Sequence, residues 1–388
     1  MISAEKNLPT AKDLHAVVGS ASFRLCFPLQ RSPLVFDTSI VNTFGTKISN
    51  SNSNSNSNNM PDKQDIPIID FTPWVSANGS EEDKSKIAND IFDAFSTIGF
   101  IILINHGVKG DHDGSNNSVS SKAFQAAKDF FALPTEIKKQ SAYVDPASNR
   151  GYISMGQEKL DGQLPDLKET FDIGFEGETD YGNQWPTEMK NAEDFKQCMS
   201  DYFDEYDQLH LNIFRALARG MGLENDDYFT PLCNGNHQNL RLLHYPECDR
   251  ATITGGQKRG GIHTDYGTLT LLSQQDISGL VAQRLDGTWV PVLPIPGGIV
   301  VNVGQMLQRW SNDMLRATPH QVLDTFDEKN SERVAERYSI AFFCNANKET
   351  SLECLPVCQG TNRPPKYEAV NAFDYITARL TETIPLEQ

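Results

Sequence analysis

His263, Asp265 and His320 are the residues of this chain whose types and spacing could do chemistry. Two imidazoles and one carboxylate, in the order H-x-D with a second His well downstream, can hold a divalent transition metal such as Fe(II) on one face and leave its other positions open. Open positions imply a metal kept for reaction, since structural metals are closed off by their protein ligands. His263 and Asp265 are two apart, so in an extended stretch both side chains leave the same face and can share one ion. His320 then has to arrive from a different strand. An isolated H-x-D or an isolated His is more often an ordinary core or surface group than a ligand, so the surrounding sequence must carry the assignment.

That surrounding sequence is strand-like. The metal pair leads into Leu269-Thr270-Leu271-Leu272, His320 sits in ATPHQVLD, and Arg337-Tyr338-Ser339 opens RYSIAFF. Arg337 and Ser339 are again two apart, which puts a guanidinium and a hydroxyl on one face as a clamp for a carboxylate.

From about Met60 to the C-terminus the chain resembles the Fe(II)/2-oxoglutarate-dependent dioxygenases of the isopenicillin N synthase-like type. The resemblance is carried by IPIIDF (66–71), GFIILINHGV (99–108), FFALPTEIK (130–138), RGYISMG (150–156) and KETFDIG (168–174), then by LRLLHYP (240–246), HTDYGTLTLL, ISGLVAQ, WVPVLPIPGGIVVNVG, LQRWSND and the R-x-S strand. It implies that His263, Asp265 and His320 bind Fe(II), that Arg337 and Ser339 bind the distal carboxylate of 2-oxoglutarate, and that Tyr245 partners its other end. 2-Oxoglutarate and O2 are then co-substrates and ascorbate the reductant. The chemistry agrees: a dianion that chelates iron through its keto acid needs a fixed cation at its far end, and Arg337 supplies one. Three positions depart from the family pattern: Leu243 where an Asn is usual, Gln305 where an acid is usual, and Gln321 where a basic residue is common. None is a metal ligand, so the surroundings of the ligands and the edge of the 2-oxoglutarate pocket are what could differ.

The fold expected is α+β, mainly β, with a double-stranded β-helix (jelly roll) core and flanking helices. The domain reading is a disordered or targeting extension over 1–59, an N-terminal helical and β region over 60–235, and a jelly-roll catalytic core with a C-terminal helix over 236–388. Helices are expected at Ser80 to Thr97, Ser120 to Phe131, Ala192 to Gly222 and Ala369 to Thr383, the third with Phe195, Met199, Phe203, Tyr206, Leu209, Phe214 and Leu217 as a core stripe. Strands are expected at Phe100 to Asn105, Gly279–Leu285, Thr288–Leu293 and Ile299–Val303, and DTFDEKNSERVAE reads as a hairpin loop. His106 reads as a turn or packing residue and Gly297-Gly298 as a turn without phosphate-loop chemistry.

A formal charge of −17 argues against nucleic-acid or anionic-membrane partners, which phosphate repulsion would disfavour. No apolar run approaches the roughly 18 residues that a bilayer span needs. Seven scattered cysteines (Cys26, Cys198, Cys233, Cys248, Cys344, Cys354 and Cys358) without C-x-x-C spacing suit a reducing, cytoplasmic compartment rather than a disulfide framework or structural zinc, and a monomer is expected. The Ser/Asn tract from Ser49 to Asn59 cannot bury enough apolar surface to order itself, and the slightly basic stretch before it leaves an organellar transit role open.

The function that follows is oxidation of a small molecule in secondary metabolism by hydroxylation, desaturation or ring closure. Two other readings stand beside it: an iron oxidase of isopenicillin N synthase type that does not use 2-oxoglutarate, and a non-catalytic binding protein of the same fold. The residues expected to wall the substrate are Arg150, Tyr152, Lys168, Phe171, Arg241, His244, Tyr266, Phe342 and Cys344. Arg150, Lys168 and Arg241 would suit a carboxylate-bearing substrate if their heads face the iron. If they pair with Asp and Glu instead, that argument loses its force.

Overall fold

The computed structural model describes residues 66–383 apart from 112–116, 144, 146–147, 159–165, 254–257, 325 and 328–329. The expectations for residues 1–59 lie outside this range.

The first strands come from short apolar runs: β1 (Ile68–Asp70), β2 (Phe100–Ile104), β3 (Gly151–Ile153) and β4 (Glu169–Gly174). Next are β5 (Asn239–Tyr245), β6 (Cys248–Asp249), β7 (Gly260–His263), β8 (Leu269–Gln274), β9 (Leu280–Gln283), β10 (Trp289–Pro291) and β11 (Ile299–Val303). The last are β12 (His320–Val322), β13 (Phe326–Asp327), β14 (Asn330–Val334) and β15 (Arg337–Phe343). The helices are α1 (Thr72–Val75), α2 (Glu81–Thr97), α3 (Val119–Phe131), α4 (Thr135–Lys139), α5 (Ala192–Gly220), α6 (Thr230–Cys233), α7 (Gln305–Trp310) and α8 (Ala372–Thr383). Expected and observed ends agree to within a few residues. At α2 the start is set by Ser80, whose side chain accepts from the Asp83 N–H, with Glu81, Glu82 and Asp83 favourably placed in the first turn.

An eight-stranded sheet in the order β1-β2-β11-β8-β15-β5-β4-β3 faces a four-stranded sheet in the order β10-β9-β12-β7. This is the double-stranded β-helix with flanking helices. Strands from the leading region continue the large sheet at both edges, β1 and β2 beside β11, β4 and β3 beside β5. The polar stretch after His320 forms the hairpin β13–β14, which pairs onward with β6.

Two apolar clusters follow from the alternation along these strands. Between the sheets lie Phe100, Ile102, Leu280, Ala282, Val290, Val300 and Val322. On the other face of the large sheet, the stripe of α5 buries Phe195, Met199, Tyr202, Phe203, Tyr206, Ile213 and Phe214. The Tyr202 and Tyr206 hydroxyls reach Ser273 Oγ of β8 at 2.9 and 2.5 Å, and Phe203 meets Phe342 edge to face at 5.0 Å. The helical layer is therefore pinned to the strands by polar as well as apolar contacts.

Candidate active site

The metal candidates are brought together by strand pairing. β12 pairs antiparallel with β7, and the register sets His320 opposite His263. Asp265 follows two residues after His263, just past the end of β7. Asp265 Oδ1 lies 3.7 Å from His263 Nε2 and 3.6 Å from His320 Nε2. Those separations are too long for hydrogen bonds. They match three donors around one ion, each about 2.0–2.2 Å away. Among the described residues, this is the group of three with metal-ligand chemistry and converging donor atoms.

The atoms behind the donors fix their direction. His263 Nδ1 donates to the Gly261 carbonyl at 2.8 Å and His320 Nδ1 to the Thr318 carbonyl at 3.0 Å. Each imidazole thus turns its Nε2 to the metal position, and in the neutral ring this tautomer leaves that atom free to bind. Asp265 Oδ2 accepts from Thr270 Oγ1 at 2.6 Å and Asn302 Nδ2 at 2.7 Å, which leaves Oδ1 for the metal. Burial, reinforced by His320, draws the His263 pKa down to about 4, so the ring is neutral as a ligand must be. Burial pushes the Asp265 carboxyl up, but His320, His263 and the two hydrogen bonds outweigh it and hold the group below its usual range.

The loop carrying Asp265 is seated on the start of α7. The N–H of Gln305 donates to the Asp265 carbonyl at 2.7 Å, and that of Met306 to the carbonyls of Tyr266 and Gly267 at 3.1 and 3.0 Å. These helix-start donors have no partner within the helix itself. A Cβ at Gly304 would stand 2.2 Å from the Gly267 carbonyl oxygen, so this approach needs glycine. Gln305 also donates through Nε2 to Thr264 Oγ1 at 2.6 Å and accepts from the Tyr375 hydroxyl at 3.2 Å, tying the metal loop to α8.

Arg337 lies on β15 in the same cavity, almost fully buried. It donates to Ser339 Oγ and Gln274 Oε1, both at 3.0 Å, and its guanidinium stands 5.1 Å from the centre of the Tyr245 ring. Its Nε has no partner among the described residues, and burial pulls its pKa below the ordinary guanidine range. A buried cation without a carboxylate is costly and is suited to receive one. The donor set therefore fits iron, and the Arg337 end of the cavity fits the distal carboxylate of 2-oxoglutarate.

The expected substrate walls divide sharply. Lys168, Arg241 and Tyr266 line the cavity with Tyr245, Arg337 and the metal triad. Tyr152, Phe171, His244, Phe342 and Cys344 do not. Phe171 and Phe342 point into the core beside α5. His244 lies on the opposite face of β5, stacked on Tyr338 and bonded to Glu169 and Glu336. Tyr152 gives its hydroxyl to Glu169, and Cys344 is buried against the same core. Arg150 lines an adjoining cavity. The strand period explains most of these misplacements: if Arg337 and Ser339 face the metal, so must Ala341 and Phe343, and Phe342 cannot. Phe343 does line the cavity, and its parity with Arg337 was the signal for it. Thr270 and Asn302 had weaker signals, as polar residues inside apolar strands. Asn345, Ile376 and Leu380 had none.

The family description "2OG-Fe(II) oxygenase superfamily" fits residues 236–346, and "non-haem dioxygenase in morphine synthesis N-terminal" fits residues 66–188. Proline hydroxylase buaE of Petromyces alliaceus is 36% identical over 330 residues, spanning 82% of this chain and 99% of its own. The 2-oxoglutarate-dependent dioxygenase ecdK of Aspergillus rugulosus is 33% identical and spans 79% of this chain and 96% of its own. The crystal structure of a full-length Neurospora crassa protein in complex with alpha-KG and thymine superposes with a TM-score of 0.74 at 36% identity, covering 82% of this chain and 96% of that one. The chain belongs to the 2OG-Fe(II) oxygenase superfamily. It is an Fe(II)- and 2-oxoglutarate-dependent dioxygenase that oxidises a small molecule.

Proposed function

We propose that His263, Asp265 and His320 hold the iron, and that Arg337, Ser339 and Tyr245 hold 2-oxoglutarate. The observation that carries this is the convergence of two Nε2 atoms and one Oδ1, each oriented by a hydrogen bond on its far side. With iron, 2-oxoglutarate and O2 bound, the site supplies oxidation of an unactivated C–H bond coupled to decarboxylation of 2-oxoglutarate to succinate and CO2. The chain's own part is placement. Thr270 and Asn302 aim Asp265, the Gly261 and Thr318 carbonyls aim the two imidazoles, and Arg337 fixes the co-substrate at its distal end.

The substrate occupies the remaining space, walled by Leu243, Tyr266, Phe343, Asn345, Ile376 and Leu380, with Lys168 and Arg241 on one side. Lys168 is neutralised by Glu158 at 2.8 Å and Asp166 at 2.6 Å. Arg241 is neutralised by Asp172 at 2.7 Å and Glu158 at 2.8 Å. On this side two cations meet three carboxylates, so neither cation calls for an acidic substrate. To this proposal belong secondary metabolism, a reducing cytoplasmic setting, a monomer and ascorbate as reductant.

Use of 2-oxoglutarate, rather than of iron and O2 alone, is supported by the vacant hydrogen-bonding capacity of Arg337 and by the relative solved with alpha-KG. Succinate release from the Fe(II)-loaded protein with 2-oxoglutarate and ascorbate tests it. Oxygen uptake driven by a substrate without succinate would favour the oxidase instead.

A further inference from the structure

Lys168 and Arg241 are neutralised by carboxylates; among the described residues Arg150 is not. Its Nη1 donates to the Asn149 carbonyl at 2.8 Å and to Asn239 Oδ1 at 2.9 Å. Its Nε is buried without a partner among the described residues. Asp172 is the nearest charge in this chain of bonds, and it is reached only through the amide of Asn239, whose Nδ2 donates to Asp172 Oδ1 at 2.7 Å. Burial draws the Arg150 pKa down, with Asp172 the main opposing influence. Keeping a guanidinium in such surroundings costs free energy that an incoming anion would recover.

The backbone makes room for it. Arg150 lies across Gly174 at the end of β4, where a Cβ would stand 1.7 Å from Nη2. Arg150 lines a cavity beside the iron pocket, under α8, and the two cavities share Asn149, Asn345, Ile376 and Leu380 as walls. The other charged walls of this second cavity are Lys348 and Glu178, which pair with each other at 2.8 Å, while Asp180 takes Lys348 from outside at 3.1 Å. Both of these carboxylates are engaged by Lys348, so neither makes an ion pair with Arg150 among the described residues. On the shared wall, Asn345 Oδ1 is also buried without a partner among the described residues and offers an acceptor. Arg259, another buried guanidinium, spends its terminal donors on the Tyr245 and Pro246 carbonyls and lines neither cavity.

We propose that the second cavity anchors the substrate by a carboxylate: the substrate is a small organic acid whose reacting carbon lies before His263, Asp265 and His320, whose carboxylate pairs with Arg150, and whose N–H or O–H meets Asn345 Oδ1. The inference rests on the assignment of the metal pocket. A planar fork suits a carboxylate, and one side of that fork is free.

The test uses the full chain loaded with Mn(II) under nitrogen. Calorimetric titration with 2-oxoglutarate comes first, and absence of binding there would sink the metal and co-substrate assignment itself. With 2-oxoglutarate bound, 3-phenylpropanoate, N-acetyl-L-proline and N-benzoylglycine are each titrated beside their primary amides, and the same pairs are compared for succinate release by the Fe(II) protein in air. The expectation is that at least one acid binds about tenfold or more tightly than its amide, as removal of one charge-assisted pair requires. In Arg150→Gln that ratio should fall to near one. Gly174→Ala, which displaces the guanidinium without removing its charge, should do the same. Arg150→Lys should keep the preference for acid at lower affinity. A merely structural Arg150 would weaken acid and amide together and leave their ratio intact. Normal 2-oxoglutarate binding with acid and amide equal, with no acid bound, or with an acid preference that survives Arg150→Gln overturns the Arg150 inference alone.

Discussion

The two faces of β5 and β15 carry opposite chemistry on the same pair of strands. Arg337 lies opposite Tyr245, Ser339 opposite Leu243 and Ala341 opposite Arg241, and all six line the iron cavity. One residue over, Tyr338 lies opposite His244 and Phe342 opposite Leu240. There His244 is stacked 4.4 Å from Tyr338 and bonded on both ring nitrogens to Glu169 and Glu336, and Phe342 is sealed beneath α5. The outer face has its hydrogen bonds made and its apolar groups packed. The inner face leaves Arg337 Nε without a partner among the described residues and turns the three donor atoms of His263, Asp265 and His320 toward one another. Which face a residue occupies, more than its type, decides whether it is available for a ligand.

Removing a metal donor is the most drastic way to break the inner face. Asp265→Ala should abolish Fe(II) binding and reduce succinate release to background, since two imidazoles alone do not make the facial site. Metal content after desalting and turnover should fall together, and retention of either would sink the assignment. Next in size is Arg241→Met, which leaves Asp172 and Glu158 buried without their shared cation. A loss of about 3–5 kcal/mol in urea unfolding is expected, as for other broken buried pairs. A change under about 1 kcal/mol would mean that this wall is solvated.

The comparison is sharpest between two neighbouring phenylalanines. Phe342→Ala should cost about 3–5 kcal/mol of stability, because it empties a fully buried site. Phe343→Ala, one residue on, should cost less stability and instead raise the KM for the substrate. Equal unfolding midpoints for the two variants would contradict the division between faces. Arg337→Lys should raise the KM for 2-oxoglutarate about 10- to 100-fold, since a point charge on a flexible stem does not reproduce a two-pronged donor. An unchanged KM would move the co-substrate elsewhere. The smallest effect expected is that of Tyr375→Phe, which removes the 3.2 Å bond to Gln305 and should cost about 1 kcal/mol or less while loosening α8 over the cavity. Hydrogen exchange of the α8 amides reads that directly.

The chain by itself marked His263, Asp265 and His320, the Arg337 and Ser339 spacing, and the positions of most strands along the sequence. These depend on spacings of two residues and on short apolar runs, and the strand period acts on such features locally. The same local rule excludes Phe342 from the cavity once Arg337 is placed on it, and His244 once Tyr245 is. Only the tertiary structure decided which charges were already neutralised. Lys168 meets Glu158, Arg241 meets Asp172, and Arg150 meets no carboxylate among the described residues, although all three are cations in matching segments of the leading region or β5. The physical reason is that neutralisation is set by which carboxylates come within about 4 Å, whether near in the chain as Asp166 is to Lys168 or far as Asp172 is from Arg241, and a sequence carries residue types but not those distances. The placing of Asn345, Ile376 and Leu380 between two cavities has the same origin, since it exists only when α8 is docked through the Tyr375–Gln305 bond and the contact of Phe373 with His237.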